Sequence, residues 1–382
     1  MNETIYMPVG EVCSSISDTY REKKNMVTLI NTSDVLEGRV LNHERVPNSN
    51  LKGQFKKTFQ RDDILYSEIR PQNRRFAYVD FSPIDYIAST KLMVIRAKKD
   101  VVSPKYLYYF LKNSSTVAEL QLLAETRSGT FPQITFSEVA NLTIPVPPLA
   151  VQEVIVQTMQ CLEDKTICNE QINDNLHQQA ATLFKALFVD LTPFDGTMPP
   201  NWTISTLGDA TEMGAGGDKP KESSPVKTPL CPYPIYSNGI NDYGLYGYTN
   251  DPKIKVESVT VSARGTIGYV CLRHTPYVPI VRLVTLVPDT KVLSAKYLYL
   301  YLRQLHITGT GTTQQQLTVP DFRKTEIIIP DKNTMDSFTE TVTPLFEQIW
   351  ANEDENTKLA EVRDALLPKL MSGEIDVSDI QL

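Results

Sequence analysis

A heptad stripe constrains this chain more than any other feature of it. Between residues 149 and 191 there is no Gly or Pro, and leucine or isoleucine recurs every seventh residue at Ile155, Leu162, Leu176 and Leu183, with Asn169 in the remaining slot. Met159, Thr166, Asn173, Ala180 and Leu187 form a second row, and the two rows make the a/d seam of a helix packed lengthwise on another helix. The partner lies near the other end of the sequence. Advancing by 183 residues carries Leu162, Asn169, Glu170, Asn173, Leu176, Leu183 and Leu187 onto Leu345, Asn352, Glu353, Asn356, Leu359, Leu366 and Leu370. With Phe338 at its start, this second seam covers residues 338–371. The chain is therefore a duplicated unit whose copies each end in a long helix. The two seams can satisfy one another within one chain, with Asn169 and Asn352 as polar layers that set the register.

The 382 residues are enough for two globular domains besides these helices. The first residues lack the basic start and apolar core of a signal peptide, and no apolar run approaches the ~18 residues that span a bilayer, so the expected location is the cytoplasm, with no membrane partner. The five cysteines, Cys13, Cys161, Cys168, Cys231 and Cys271, are scattered and odd in number. Cys161 and Cys168, seven residues apart on the helix, are expected to be reduced and structural.

The net charge of −7 would oppose a nucleic-acid partner if it were spread evenly, but it is not. Lys and Arg number 19 against 16 Asp and Glu in residues 1–148, and 13 against 11 in residues 192–330. The ratio is 2 against 6 in residues 149–191 and 4 against 12 in residues 331–382. Slightly basic globular parts suit a polyanion, and the acidic helix faces suit protein partners.

Residues 1–148 read as a mixed α/β (α+β) domain. Residues 26–31, 63–69, 75–80 and 91–96 are β-rich segments set apart by Pro, Asn and Asp. Residues 103–113 (SPKYLYYFLKN) begin with a Ser cap and a Pro in the first turn, which predicts a helix. A loop over 127–134, a capped turn over 135–139 and a strand over 142–146 complete the domain. Residues 192–330 repeat the plan behind a different front. Residues 213–229 read as a mobile loop, and 258–270 as two strands around an Arg-Gly turn. Residues 101–113 then match 292–304 (VLSAKYLYLYLRQ), Lys91 aligns with Arg282, Gln133 and Thr135 with Gln316 and Thr318, and Pro147 with Pro330. The tyrosines of both helical copies fall at core spacing. In the C-terminal helix, Pro344 and Pro368 are expected to break or kink the backbone, and Gly373 to stop it.

Catalytic motifs are missing. There is no Gly-Lys-Ser/Thr phosphate loop and no Gly-x-Gly-x-x-Gly turn. The Asn/Asp-Pro-Pro-Tyr/Phe signature of amino-methyltransferases is likewise absent. His43, His177, His274 and His306 have no metal-ligand spacing, and His177 is expected on the helix surface. The chain is therefore expected to be non-catalytic, with no metal and no cofactor of its own. Its binding features are stronger. Lys56, Lys57, Arg61, Arg70, Arg74, Arg75 and Lys91 gather between and after the strands of the first domain, where Arg suits both phosphate and the guanine edge. In the second domain the candidates are Lys219 and Lys221 in the Gly-rich loop, Arg264 and Thr266 in the tight turn, and Arg282. Asn238, Gln314, Gln315 and Gln316 are candidate adenine readers.

Several of these segments carry a resemblance. VRDALLPKLMSGEI at 362–375, IPVPPLAVQEVIV at 144–156, DILYSEIRPQNRRFAYV at 63–79 and SARGTIGYV at 262–270 resemble the DNA-specificity subunits of type I restriction-modification systems, over essentially the whole chain. Residues 151–154 (VQEV) depart from the basic run more usual there. The resemblance implies two target recognition domains, 1–148 and 192–330, each reading half of a split, asymmetric DNA site. It implies that the helices, 149–191 and 331–382, form an antiparallel coiled coil between them and relate the halves by a pseudo-twofold axis. The implied partners are double-stranded DNA, two modification subunits that use S-adenosylmethionine, and restriction subunits. About 39 helical residues at ~1.5 Å span roughly 58 Å, about one and a half turns of duplex at ~3.4 Å per base pair. Two other assignments fit the same sequence: a specificity subunit of a modification-only system, and a coiled-coil adaptor whose globular ends bind proteins.

Overall fold

The computed structural model describes residues 4–22, 24–49, 53–127, 130–309 and 316–377. It forms two units, Met1–Cys168 with Asp354–Leu382, and Asn169–Glu353. The boundary runs through both long helices, so each unit owns a globular part and a segment of each helix. The helices are Leu149–Phe184, extended by a π-helical turn over Lys185–Val189, and Lys332–Ser372.

The helix segments run in opposite directions within each unit. In the first, Ile155, Met159 and Leu162 share a core with Leu366, Leu367 and Leu370, and Lys165 pairs with Glu355 at 3.0 Å. In the second, Asn173 meets Asn352 and Phe184 meets Phe338, and Leu176 and Leu345 join the same core. Leu359 is half-buried. Leu183 departs from the expected seam: it is 36% exposed, and Ala180, Phe184 and Phe188 are buried instead. An α-helix drifts by ~20° per heptad against a strict seven-residue repeat, so four heptads after Ile155 the buried stripe has moved round to Phe184. The wider π-helical turn then keeps Phe188 facing Tyr297 and Phe338.

The prolines do not divide the second helix. Pro344 and Pro368 both lie on its exposed face, where the carbonyl that each ring frees turns toward water. Thr339, Thr341 and Thr343 donate their hydroxyls to the carbonyls four residues earlier through the same stretch. The helix ends at Gly373, whose φ of 77° is left-handed.

The globular parts share one topology. In the first unit a sheet runs Cys13–Ile16, Leu92–Ala97, Ile64–Ser67, Phe76–Tyr78, every neighbour antiparallel. Its counterpart in the second runs Thr211–Ala215, Val284–Pro288, Ser258–Val261, Val270–Arg273, also antiparallel throughout. A second sheet in each unit holds one parallel pair, Met26–Ile30 with Tyr86–Ser89 and Tyr233–Tyr236 with Val278–Pro279. A two-stranded ribbon, Ile5–Pro8 with Thr143–Val146 or Thr203–Thr206 with Glu326–Ile329, closes each. The fronts differ: Phe55–Lys57 flanks Tyr86–Ser89 in the first unit, whereas Leu245–Thr249 and Ser223–Ser224 extend the second sheet of the other. Residues 213–215, expected in a loop, end a strand.

The helices Pro104–Lys112 and Ala295–Gln304 bury Tyr106, Tyr109 and Tyr297 completely against these sheets. Tyr106 and Tyr297 spend their hydroxyls on the carbonyls of Pro145 and Ile328, each in its unit's ribbon. A helix over Ser114–Arg127 follows the first of these without any warning in the sequence. Gln152 is buried in the departing segment, where it accepts from the Ser103 N–H at 2.8 Å and donates to the Val101 and Pro147 carbonyls. That amide ties the helix start to the domain. Cys161 and Cys168 are exposed and free, so they add nothing to the core.

Two predictions follow from the helices. Asn352 donates to Asn173 Oδ1 at 2.7 Å and accepts from Gln348, and Asn173 donates on to the Ile349 carbonyl. Asn352→Ala leaves the half-buried Asn173 Oδ1 without its donor and should lower stability by about 1 kcal/mol. Asn173→Leu combined with Asn352→Leu should recover most of it in urea denaturation, because the layer sets register more than it stabilises. His177, expected at the surface, is half-buried edge-on to Phe346, and burial together with nearby Arg303 pulls its pKa below 6.5 against a smaller opposing effect of Asp174. The imidazole folds neutral, so the stability tied to it is whole above pH 6.5 and is lost as pH falls toward the depressed native value. His177→Asn should flatten the fall in melting temperature below pH 6.5 relative to the parent.

Candidate nucleic-acid interface

The two units display basic residues at matching points of the shared sheet. Strand Ile64–Ser67 ends three residues before Arg70, and strand Ser258–Val261 ends three residues before Arg264. Lys91 immediately precedes Leu92–Ala97, and Arg282 stands two residues before Val284–Pro288. Both positions flank the central strand pair, so each unit sets one arginine and one further cation at the same end of its sheet.

In the first unit the chain is bent to reach this arrangement. Arg70 and Arg74 have φ of 44° and 51°, left-handed for residues that carry a Cβ, on either side of the single turn Pro71–Asn73. Such conformations cost of order 1 kcal/mol or more each and persist where the surroundings impose them. The Arg70 N–H donates to the Pro132 carbonyl at 3.1 Å and the Ile134 N–H to the Glu68 carbonyl at 2.9 Å, docking the 130–134 loop alongside. Lys91 Nζ then bridges Glu68 Oε2 at 3.3 Å and Gln133 Oε1 at 3.2 Å. Gln133, seen in the sequence only as a repeat marker, is thus part of the cluster. Arg74 donates to Ser114 Oγ at 2.9 Å, while Lys56, Arg61 and Arg70 are exposed.

Two expected contacts prove to be internal. Lys57 Nζ donates to the carbonyls of Thr90 and Leu92 at 3.0 and 2.8 Å, and burial lowers its pKa. It braces the turn that carries Lys91. Arg75 donates from Nη1 to the carbonyls of Ser33 and Val35. Both side chains are already engaged by carbonyls of their own chain.

The second unit builds its counterpart from loops. Val281 and Arg282 have consecutive left-handed φ of 51° and 62°. They are held from one side by main chain: Arg282 N–H donates to the Gly216 carbonyl, Val281 N–H to that of Gly217, and Gly216 N–H to that of Leu283. A methyl group on Gly216 would lie 2.7 Å from the Ile280 nitrogen, so only glycine permits this approach. From the other side Asn238 Nδ2 donates to the Val281 carbonyl at 2.6 Å, while its Oδ1 accepts from the Ala263 N–H at 2.7 Å and from Ser262 Oγ at 3.2 Å. Asn238, expected to read adenine, has its amide occupied by its own chain; it fastens the Arg264 turn to the Arg282 segment. Thr266 is similarly engaged with Ser262 at 3.1 Å. Arg264, Arg282 and Lys221 are exposed, and Lys219 lies 5.2 Å above the Tyr246 ring. Gln314 and Gln315 lie outside the described residues. Among the described residues no group of His, Cys, Asp and Glu is placed to hold a metal, and no helix is long and apolar enough to cross a membrane.

A family model for the type I restriction modification DNA specificity domain matches twice, over residues 6–178 and 199–361, one match for each repeat. The chain belongs to this family. It is 30% identical to the type I restriction enzyme HindI specificity subunit of Haemophilus influenzae over 91% of this chain and 94% of that protein. It is 26% identical to the MjaIX specificity subunit of Methanocaldococcus jannaschii over 78% of this chain and 77% of that one. Its fold is similar to that of the type I S subunit of M. genitalium, with a TM-score of 0.55 at 16% identity over 98% of this chain and 97% of that one. Its role is therefore DNA sequence specificity within a type I restriction-modification system.

For a specificity subunit the fastening of the second cluster is open to direct test. Asn238→Ala should cost about 1–3 kcal/mol in chemical denaturation by stranding the Ala263 N–H and the Val281 carbonyl. Asn238→Asp, which keeps the acceptor and loses the donor, should fall between the variant and the parent.

Proposed function

We propose that each unit reads one half of a split, asymmetric DNA target, with Arg70 and Lys91 facing one half-site and Arg264 and Arg282 the other. One observation carries this reading: the same antiparallel sheet, with a cation pair at the same end, is repeated behind fronts of different construction. An identical scaffold with identical fronts would favour a palindromic site. Phosphate contacts from Lys56, Arg61, Lys219 and Lys221 set register, and Arg70, Arg264 and Arg282 reach base edges, where guanine offers a bidentate partner.

The slight positive excess of each globular part gives weak electrostatic affinity, so tight binding needs partners that close on the duplex. Two modification subunits fill that role and dock on the acidic helix faces; restriction subunits join them. The chain supplies no catalytic group and holds no cofactor, and S-adenosylmethionine binds in the modification subunit.

Sequencing the methylome of a host with and without this gene should show one split, asymmetric motif disappear, and an unchanged methylome would sink the assignment. Within the assembled complex Arg264→Ala should weaken binding by about 1–3 kcal/mol and relax only one half of that motif. A uniform loss across sequences, with a salt slope reduced by ~1, would assign Arg264 to phosphate instead.

A further inference from the structure

A cavity of about 430 Å³ lies within the second unit, within the ~300–1,000 Å³ usual for small-molecule sites. Its floor holds a buried cation. Arg273, 6% exposed, donates from Nε to Thr260 Oγ1 at 2.9 Å and from Nη2 to the Tyr243 carbonyl at 2.7 Å, and its guanidinium lies 3.6 Å from the centre of the Tyr236 ring. All three neighbours are neutral, and among the described residues no carboxylate forms an ion pair with it. A buried guanidinium whose direct hydrogen-bond and ring partners are neutral gains from an anion more than an exposed one would. Arg303 adds a second cation at the exposed edge of the cavity, where Nη1 donates to the Tyr299 hydroxyl at 3.0 Å.

The walls ask for a flat, hydrogen-bonding group. His274 and Trp350 stack at 4.1 Å with 16° between their planes, and Phe346 continues that surface. His177 lines the same space with a buried Nδ1 that has no hydrogen-bond partner. Glu353, which accepts from the Tyr243 hydroxyl at 3.2 Å, offers a carboxylate to an amino group. Gly268 and Tyr269 reach the wall from the turn that also carries Arg264. Two arginines for an anion, an aromatic wall for a planar ring and polar groups for the ring's edge describe one chemical class.

We propose that this cavity binds a nucleotide, with its phosphate between Arg273 and Arg303 and its base against the aromatic wall. The nucleotide is a free one, distinct from the DNA that the two units read. The inference rests on the cavity alone and stands independently of which bases the two units read.

Trp350 supplies the readout, since the other tryptophan, Trp202, is buried between Phe188 and Phe194. Titrating the full chain with AMP and GMP should quench the fluorescence saturably and raise the melting temperature. A quench produced only by oligonucleotides would overturn the proposal, because DNA binding alone would account for it. Arg303→Gln, an exposed position, should weaken either response about tenfold, and Trp350→Phe should remove the quench while keeping the thermal shift. Absence of quench and shift with mononucleotides and oligonucleotides alike would overturn the proposal. So would inorganic phosphate acting as strongly as the nucleotides, because the base would then contribute nothing. An unchanged response in Arg303→Gln would also overturn it.

Discussion

Each unit depends on an apolar helix stripe that cannot be left in water. The segment from Ile155 to Leu162 is covered by Leu366, Leu367 and Leu370, and the segment around Phe184 by Phe338 and Phe346. The globular sheets lean on the same helices. Tyr109 donates to Glu163, which also pairs with Lys112, and Phe188 packs on Trp202 and Tyr297. Removing the helices would thus expose one side of each domain's core as well as the seam. This is why the structural units cut across the helices: the helix is part of the domain's hydrophobic interior, as much as a strand is.

That rigid base permits strain in the turns that join the strands. Arg70, Arg74, Val281 and Arg282 adopt backbone that a β-carbon disfavours, and each is fixed by hydrogen bonds from neighbouring loops. The two units reach this end by different means. The first uses Lys57 as an internal brace, spending an ammonium on two carbonyls. The second uses a close glycine approach at Gly216 and the Asn238 amide. In both, polar side chains that a DNA-binding surface would recruit are consumed in holding the exposed ones still.

Much of the fold was legible because periodicity reports burial directly. The heptads as far as Leu176, the β-rich segments before and after Arg70 and the two tyrosine helices stand where the sequence placed them. The helix Ser114–Arg127 was invisible because its apolar residues do not keep to one side: Val117 and Leu120 are buried, but Leu122 is 62% exposed. Leu183 was misplaced because a strict seven-residue count ignores the drift of a straight helix. At the candidate site, residue type announced positive charge but not its destination. Lys57 and Lys56 are neighbours on one strand, and alternation sends one inward to carbonyls and leaves the other exposed, a distinction that needs the strand's facing to be known. Asn238 suits adenine and main chain equally well by chemistry, and only the approach of Ala263 and Val281 decides between them.

The duplication separates what must be kept from what is free to change. Cores, seam and the tyrosine hydroxyl bonds to the closing ribbons recur in both units, because each answers a demand of burial that does not depend on the ligand. The fronts answer no such demand. A strand at Phe55–Lys57 and a Gly-rich approach at Gly216–Gly217 are different ways to brace a cation at the same end of the same sheet. Since the brace and not the sheet determines where Lys91 and Arg282 stand, a change of front alters the surface offered to a ligand without disturbing the core behind it. The helix seam that first defined the chain is what makes that independence possible.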